Sequence, residues 1–105
     1  VVRIDSLAVA GNAGYARTVA TATTNQTLGS AAYTDYFYYA SSAPTLTLPT
    51  AIGNTSKYSI KNVGVGTVTI NTTSSQTIDG SLVVTIPVTN TTLEIMSDGS
   101  NWQIQ

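Results

Sequence analysis

The stretch Lys57 to Asn71, KYSIKNVGVGTVTIN, constrains the fold more than any other part of the chain. Tyr58 and Ile60 alternate with Ser59 and Lys61, and Val68 and Ile70 alternate with Thr67 and Thr69. A period of two belongs to strands with one buried face. Gly64 and Gly66 fall between the runs, where a tight turn needs backbone angles that residues with a Cβ avoid. The segment therefore reads as a β-hairpin. Later segments repeat its grammar: a short alternating run, then a turn signal.

Composition agrees with that reading. The chain has 105 residues, 42% of them hydrophobic and only 9% charged. Low charge with many β-branched residues favours an all-β domain over a helical or disordered one. A core of this size is modest, so oligomerisation would help it. The formal net charge is -1 and no basic stripe exists, which argues against nucleic-acid binding. No apolar run has the length of a membrane span, and no insertion is expected. Without cysteine or histidine the chain lacks disulfides, thiolate metal sites and the usual general base. No metal, cofactor or catalytic residue is expected, and no enzyme. The chain opens on valine with Met96 as its only methionine, so a fragment or processed form is expected.

Taken in order, Val1 to Thr24 mixes apolar, Ala and Thr residues around Gly11 and Gly14. Ala13, Ala16 and Ala20 have helical spacing, but the Thr and Val content favours an extended strand. Residues 1–25 read as a neck or linker packing against neighbouring chains, with an ordinary first strand as the alternative. Residues 26–105 read as a small antiparallel Greek-key barrel or sandwich. In DYFYY, Asp35, Phe37 and Tyr39 share one face and Tyr36 and Tyr38 the other. Rings on both faces need cover on both, or a partner on one. TLTL at Thr45 to Leu48 ends at Pro49, which cannot donate to a ladder. Asp79-Gly80 and Asp98-Gly99 are turn signals. Between them Leu82, Val84 and Ile86 alternate, then Leu93 and Ile95, and after them Trp102 and Ile104. Short strands between closely spaced turns indicate a barrel or sandwich.

Four pieces carry a resemblance: TLTLP (Thr45 to Pro49), YSIKNVGVGTVTIN (Tyr58 to Asn71), QTIDG (Gln76 to Gly80) and LEIMSDGSNWQI (Leu93 to Ile104). In this order and spacing they resemble the distal fibre and receptor-binding proteins of tailed bacteriophages, over somewhat more than half the chain. The upstream DYFYYA fits the pattern more weakly. The size and the N-terminal extension look like the head of lactococcal phage receptor-binding proteins. The resemblance implies a homotrimeric all-β tip domain on the virion tail, acting outside the host cell. Its partners would be host cell-wall saccharide or phosphopolysaccharide, and other tail proteins through a missing N-terminal part. A purely structural trimerisation or decoration module is the alternative, because the pattern also occurs in proteins without a known ligand.

Trp102 is the first saccharide candidate, since indole faces stack on sugar rings. It shares a face with Ile104 opposite Leu93 and Ile95, and burying it there contributes about 2–3 kcal/mol. Asp98 and Asn101 are turn residues beside it with polar side chains that a sugar could meet. Tyr36 and Tyr38, with Tyr33 and Tyr39, form the densest aromatic group and read as core, trimer contact or stacking surface. Lys57, Lys61 and Arg17 could meet anionic polymer, or serve only as solvated charges that protect an edge strand. Gly64-Val65-Gly66 lacks the Lys-Ser/Thr of a phosphate loop and opens no helix. The sequons at Asn25, Asn54, Asn71 and Asn90 are explained by chance in so Asn- and Thr-rich a chain.

Overall fold

A computed structural model describes residues 16–105. Among the described residues nine strands carry the fold: β1 Ala16–Ala22, β2 Gln26–Thr27, β3 Thr34–Ala40, β4 Thr45–Thr47, β5 Lys57–Asn62, β6 Val68–Asn71, β7 Val83–Ile86, β8 Thr92–Ser97 and β9 Trp102–Ile104. No helix occurs among the described residues. The chain is all-β, with two sheets facing each other across one apolar interior.

The pairing departs from the antiparallel Greek key expected above. One sheet has the order β1-β3-β5-β8-β9 and the other β2-β4-β6-β7. β1, β3 and β5 are mutually parallel, as are β2, β4 and β6. The chain therefore winds through three turns of a flattened coil, laying one strand in each sheet per turn. Ala16 stands beside Thr34 and Asp35 beside Lys57, steps of 18 and 22 residues. Parallel neighbours need such a long return, and the crossing through the opposite sheet provides it. β7, β8 and β9 then pair antiparallel and close the far end of the coil.

The expected hairpin at Lys57 to Asn71 is thus an arc. β5 and β6 lie in different sheets and do not pair. Tyr58 and Ile60 point inward from one sheet, and Val68 and Ile70 from the other, all fully buried. Asn62 holds the arc. Its Nδ2 donates to the carbonyls of Gly66 and Ile86 at 2.9 Å each, and its Oδ1 accepts from the Gly64 amide at 3.1 Å. Gly66 sits at φ +92, a left-handed angle that a side chain would strain.

The interior is built from alternate residues of each strand. Tyr36, Tyr38, Tyr58, Ile60, Ile95 and Trp102 come from one sheet, and Leu46, Val68, Ile70 and Ile86 from the other. β1 contributes only Ala20 and Ala22 to it. β1 pairs within its own chain, so residues 16–22 form a sheet strand and the helical alternative does not occur there. The remainder of the expected neck, residues 1–15, lies outside the described residues.

Candidate functional site

The strand registers place three rows of side chains on the outer face of the five-stranded sheet. They run Arg17, Asp35, Lys57, Met96; then Val19, Phe37, Ser59, Glu94; then Thr21, Tyr39, Lys61, Thr92. All three cations of the described residues stand here, with two of their four acids. In a chain so poor in charge, that segregation distinguishes this face. The outer face of the other sheet carries Thr45, Thr47, Thr69, Asn71, Val83 and Thr85, and no charge.

Two of the three cations have a local partner. Lys57 Nζ lies 3.4 Å from Glu94 Oε1, a half-exposed pair whose net contribution to stability is small. The Arg17 guanidinium stands 5.5 Å from the centre of the Phe37 ring, within cation–π range. Lys61 has no acidic partner within ion-pair distance among the described residues. A depression of about 210 Å³ opens beside it, lined by Phe37, Tyr38, Tyr39, Ser59, Lys61, Thr92 and Glu94. A second, also about 210 Å³, lies between Arg17, Val19, Phe37 and Tyr39. The two hollows share the Phe37 and Tyr39 rings. Tyr39 is 41% exposed and Phe37 partly so. The arrangement offers aromatic surface for a sugar ring, a carboxylate and hydroxyls for its OH groups, and a cation for an anionic substituent.

The residues first expected to meet a saccharide divide differently. Trp102 is fully buried and packs edge-on against Tyr58, with ring centres 5.3 Å apart. Neither of its faces is open to stack on a sugar, so it is a core residue. Its Nε1 is buried and has no hydrogen-bond partner. Tyr36 and Tyr38 are likewise core. Tyr36 stacks on Tyr58 at 5.0 Å and on Tyr38 at 5.9 Å. Their hydroxyls fasten the loop before β3: Tyr38 Oη accepts from the Gly29 amide at 2.9 Å and Tyr36 Oη from the Ala31 amide at 2.7 Å. Tyr58 Oη donates to the Gly29 carbonyl at 2.6 Å and accepts from Asn54 Nδ2 at 3.0 Å. Gly29 is required there, because a Cβ would fall 2.7 Å from the Tyr36 ring. Burial pushes the Tyr58 phenol up to about 12 and the Tyr38 phenol up as well.

Asp98 and Asn101 shape the turn between β8 and β9. Asp98 Oδ1 accepts from the amides of Ser100 and Asn101, and its Oδ2 from Gln103 Nε2. Those bonds, the Asn101 amide first, hold the Asp98 carboxyl below its usual range. Asn101 Oδ1 accepts from the Thr77 amide at 2.9 Å. Of the residues singled out for ligand contact, Lys57, Lys61, Arg17 and Tyr39 belong to the outer face. Phe37, Ser59, Thr92 and Glu94 were not among them. The signal was present in DYFYY, where the charge of Asp35 marks the solvent side that Phe37 and Tyr39 share.

Comparison with family models, curated proteins and solved structures yields no match for this chain.

Proposed function

We propose that the chain is a host-adhesion domain of a bacteriophage receptor-binding protein, which attaches a virion to saccharides on the bacterial surface. The observation that carries this reading is the outer face of the five-stranded sheet. There the three cations and two acids of an otherwise charge-poor domain share one face, and two of the cations, Arg17 and Lys61, with Glu94 and the Phe37 and Tyr39 rings, line two adjoining hollows. The resemblance of Thr45 to Gln105 to phage tip proteins gives the surface its context. The face is suited to holding and not to reacting: it presents no histidine or cysteine, and its two acids, Asp35 and Glu94, stand on strands separated by β5.

A shallow site of this kind binds weakly, with a dissociation constant on the order of 0.1–1 mM. In a homotrimer such as the resemblance implies, three faces acting together raise avidity by orders of magnitude. The test is a bacterial glycan array probed with the wild-type protein and with Phe37→Ala and Tyr39→Ala. The reading expects binding that both substitutions remove. No signal from the wild type, while particles carrying the protein still adsorb, would refute it.

A second reading, a structural module without a ligand, is favoured by the uncharged outer face of the four-stranded sheet. Leu82 and Val83 are both about half exposed at its β7 edge. That reading expects Val83→Asp to change assembly while Phe37→Ala and Tyr39→Ala leave adsorption intact.

A further inference from the structure

We propose that β1 is a self-association edge: the β1 strands of two copies pair antiparallel about Val19 and fuse two five-stranded sheets into one. The inference goes beyond the adhesion reading and does not depend on it.

Ala16 donates to the Tyr33 carbonyl at 3.0 Å, and the Ala22 carbonyl accepts from Ser41 at 3.0 Å. In a parallel ladder this phase turns both backbone groups of Ala16, Thr18, Ala20 and Ala22 toward β3. The amides and carbonyls of Arg17, Val19 and Thr21 therefore point away from it. β1 is the first strand of its sheet, and no described residue pairs with that outer side.

Exposed edges are ordinarily protected by lysine, proline, a bulge or shortness. β1 is seven residues long and regular, and holds no proline. Its one charge, Arg17, lies over Phe37. Val19 on the same strand is 58% exposed.

A second copy fits this edge. Antiparallel pairing centred on Val19 sets Val19 opposite its symmetry mate and Arg17 opposite Thr21. Every outward amide and carbonyl of those residues then meets a partner, and no like charges face each other. The two-fold axis stands perpendicular to the sheet, so both outer faces look the same way. The second copy's Arg17 comes to the rim of the hollow formed by Arg17, Val19, Phe37 and Tyr39. The seam is a single strand pair, at the small end of interface sizes, so the association is weak and concentration-dependent.

Sedimentation of the wild-type protein from about 10 μM to about 1 mM tests this, a range set by that weak class of affinity. The mean copy number is expected to double. Val19→Pro should hold it at its dilute value, because the Val19 amide faces outward and its loss leaves the β1–β3 ladder whole. Val19→Lys should do the same by placing two charges face to face. Hydrogen exchange on the wild type needs no substitution: the amides of Arg17, Val19 and Thr21 should gain protection as concentration rises. A constant wild-type copy number, variants that associate as the wild type does, or protection independent of concentration would each overturn the proposal.

Discussion

Tyr58→Phe removes one oxygen atom and leaves the ring in place, stacked on Tyr36 and edge-on to Trp102. The lost hydroxyl strands two groups, the Gly29 carbonyl at 2.6 Å and Asn54 Nδ2 at 3.0 Å. Both belong to half-buried residues, so water compensates only in part. Leaving such partners unpaired costs about 1–3 kcal/mol. With about 2 kcal/mol as the middle of that range, the melting temperature falls by about 8–15 °C. The same substitution has a signature in alkali. Above pH 10 the unfolded chain gives up its phenol proton while the folded chain, with Tyr58 at about 12, retains it. Stability is therefore complete below pH 10 and is lost as pH rises toward 12, by about 1–3 kcal/mol from this residue. Tyr38, also raised by burial, adds loss in the same direction. Urea titrations of both proteins from pH 7 to 11.5 measure both arms. The Tyr58→Phe substitution should lower stability at pH 7 and flatten the alkaline decline. A melting temperature within 2 °C of wild type, or an unchanged alkaline slope, refutes the role given to this hydroxyl.

Trp102→Ala should cost about 3–5 kcal/mol in chemical denaturation, as large-to-small changes in a closed core do. Trp102→Phe should cost much less than Trp102→Ala, because it also removes the unpartnered indole N–H. Asp98→Asn should lower the melting temperature and weaken its dependence on pH. The depressed Asp98 carboxyl contributes stability that is present above its unfolded value near 3.8 and lost as pH falls below it, which a thermal scan from pH 5 to 2 reads directly. Tyr39→Ala should change stability by about 1 kcal/mol or less, since an exposed ring buries little area on folding, and Phe37→Ala should cost more, about 1–2 kcal/mol, since that ring is partly buried beneath Arg17. The same two proteins should fail in glycan binding, whereas Trp102→Phe should retain it.

Much of the local structure was legible in the chain. The alternation around Tyr58 and Ile60 and around Leu93 and Ile95 placed those side chains inward, where they lie, whereas it left Trp102 open between core and ligand face. Asp79-Gly80 and Asp98-Gly99 are turns with the glycines at φ +90 and +103. Strand pairing was not legible, because a period of two reports which face is buried and says nothing of which strand lies alongside. An arc between two sheets and a hairpin within one show the same pattern, as Lys57 to Asn71 demonstrates. The cue for a coil was the recurrence of a longer strand and then a short one, at Thr34 to Thr47 and again at Lys57 to Asn71. The site was half legible for a similar reason. DYFYY sorts its rings into two sets, but only the company of Asp35 says which set faces water.

The claim on which the account depends is that the outer face of the five-stranded sheet is the adhesive surface. Amide chemical-shift mapping of the protein with a saccharide from its host envelope tests that claim most directly. The account predicts shifts confined to Phe37, Tyr39, Ser59, Lys61, Thr92, Glu94 and their strand neighbours. Shifts centred instead on the turn from Asp98 to Asn101, or on the threonine face of β4, β6 and β7, would contradict it.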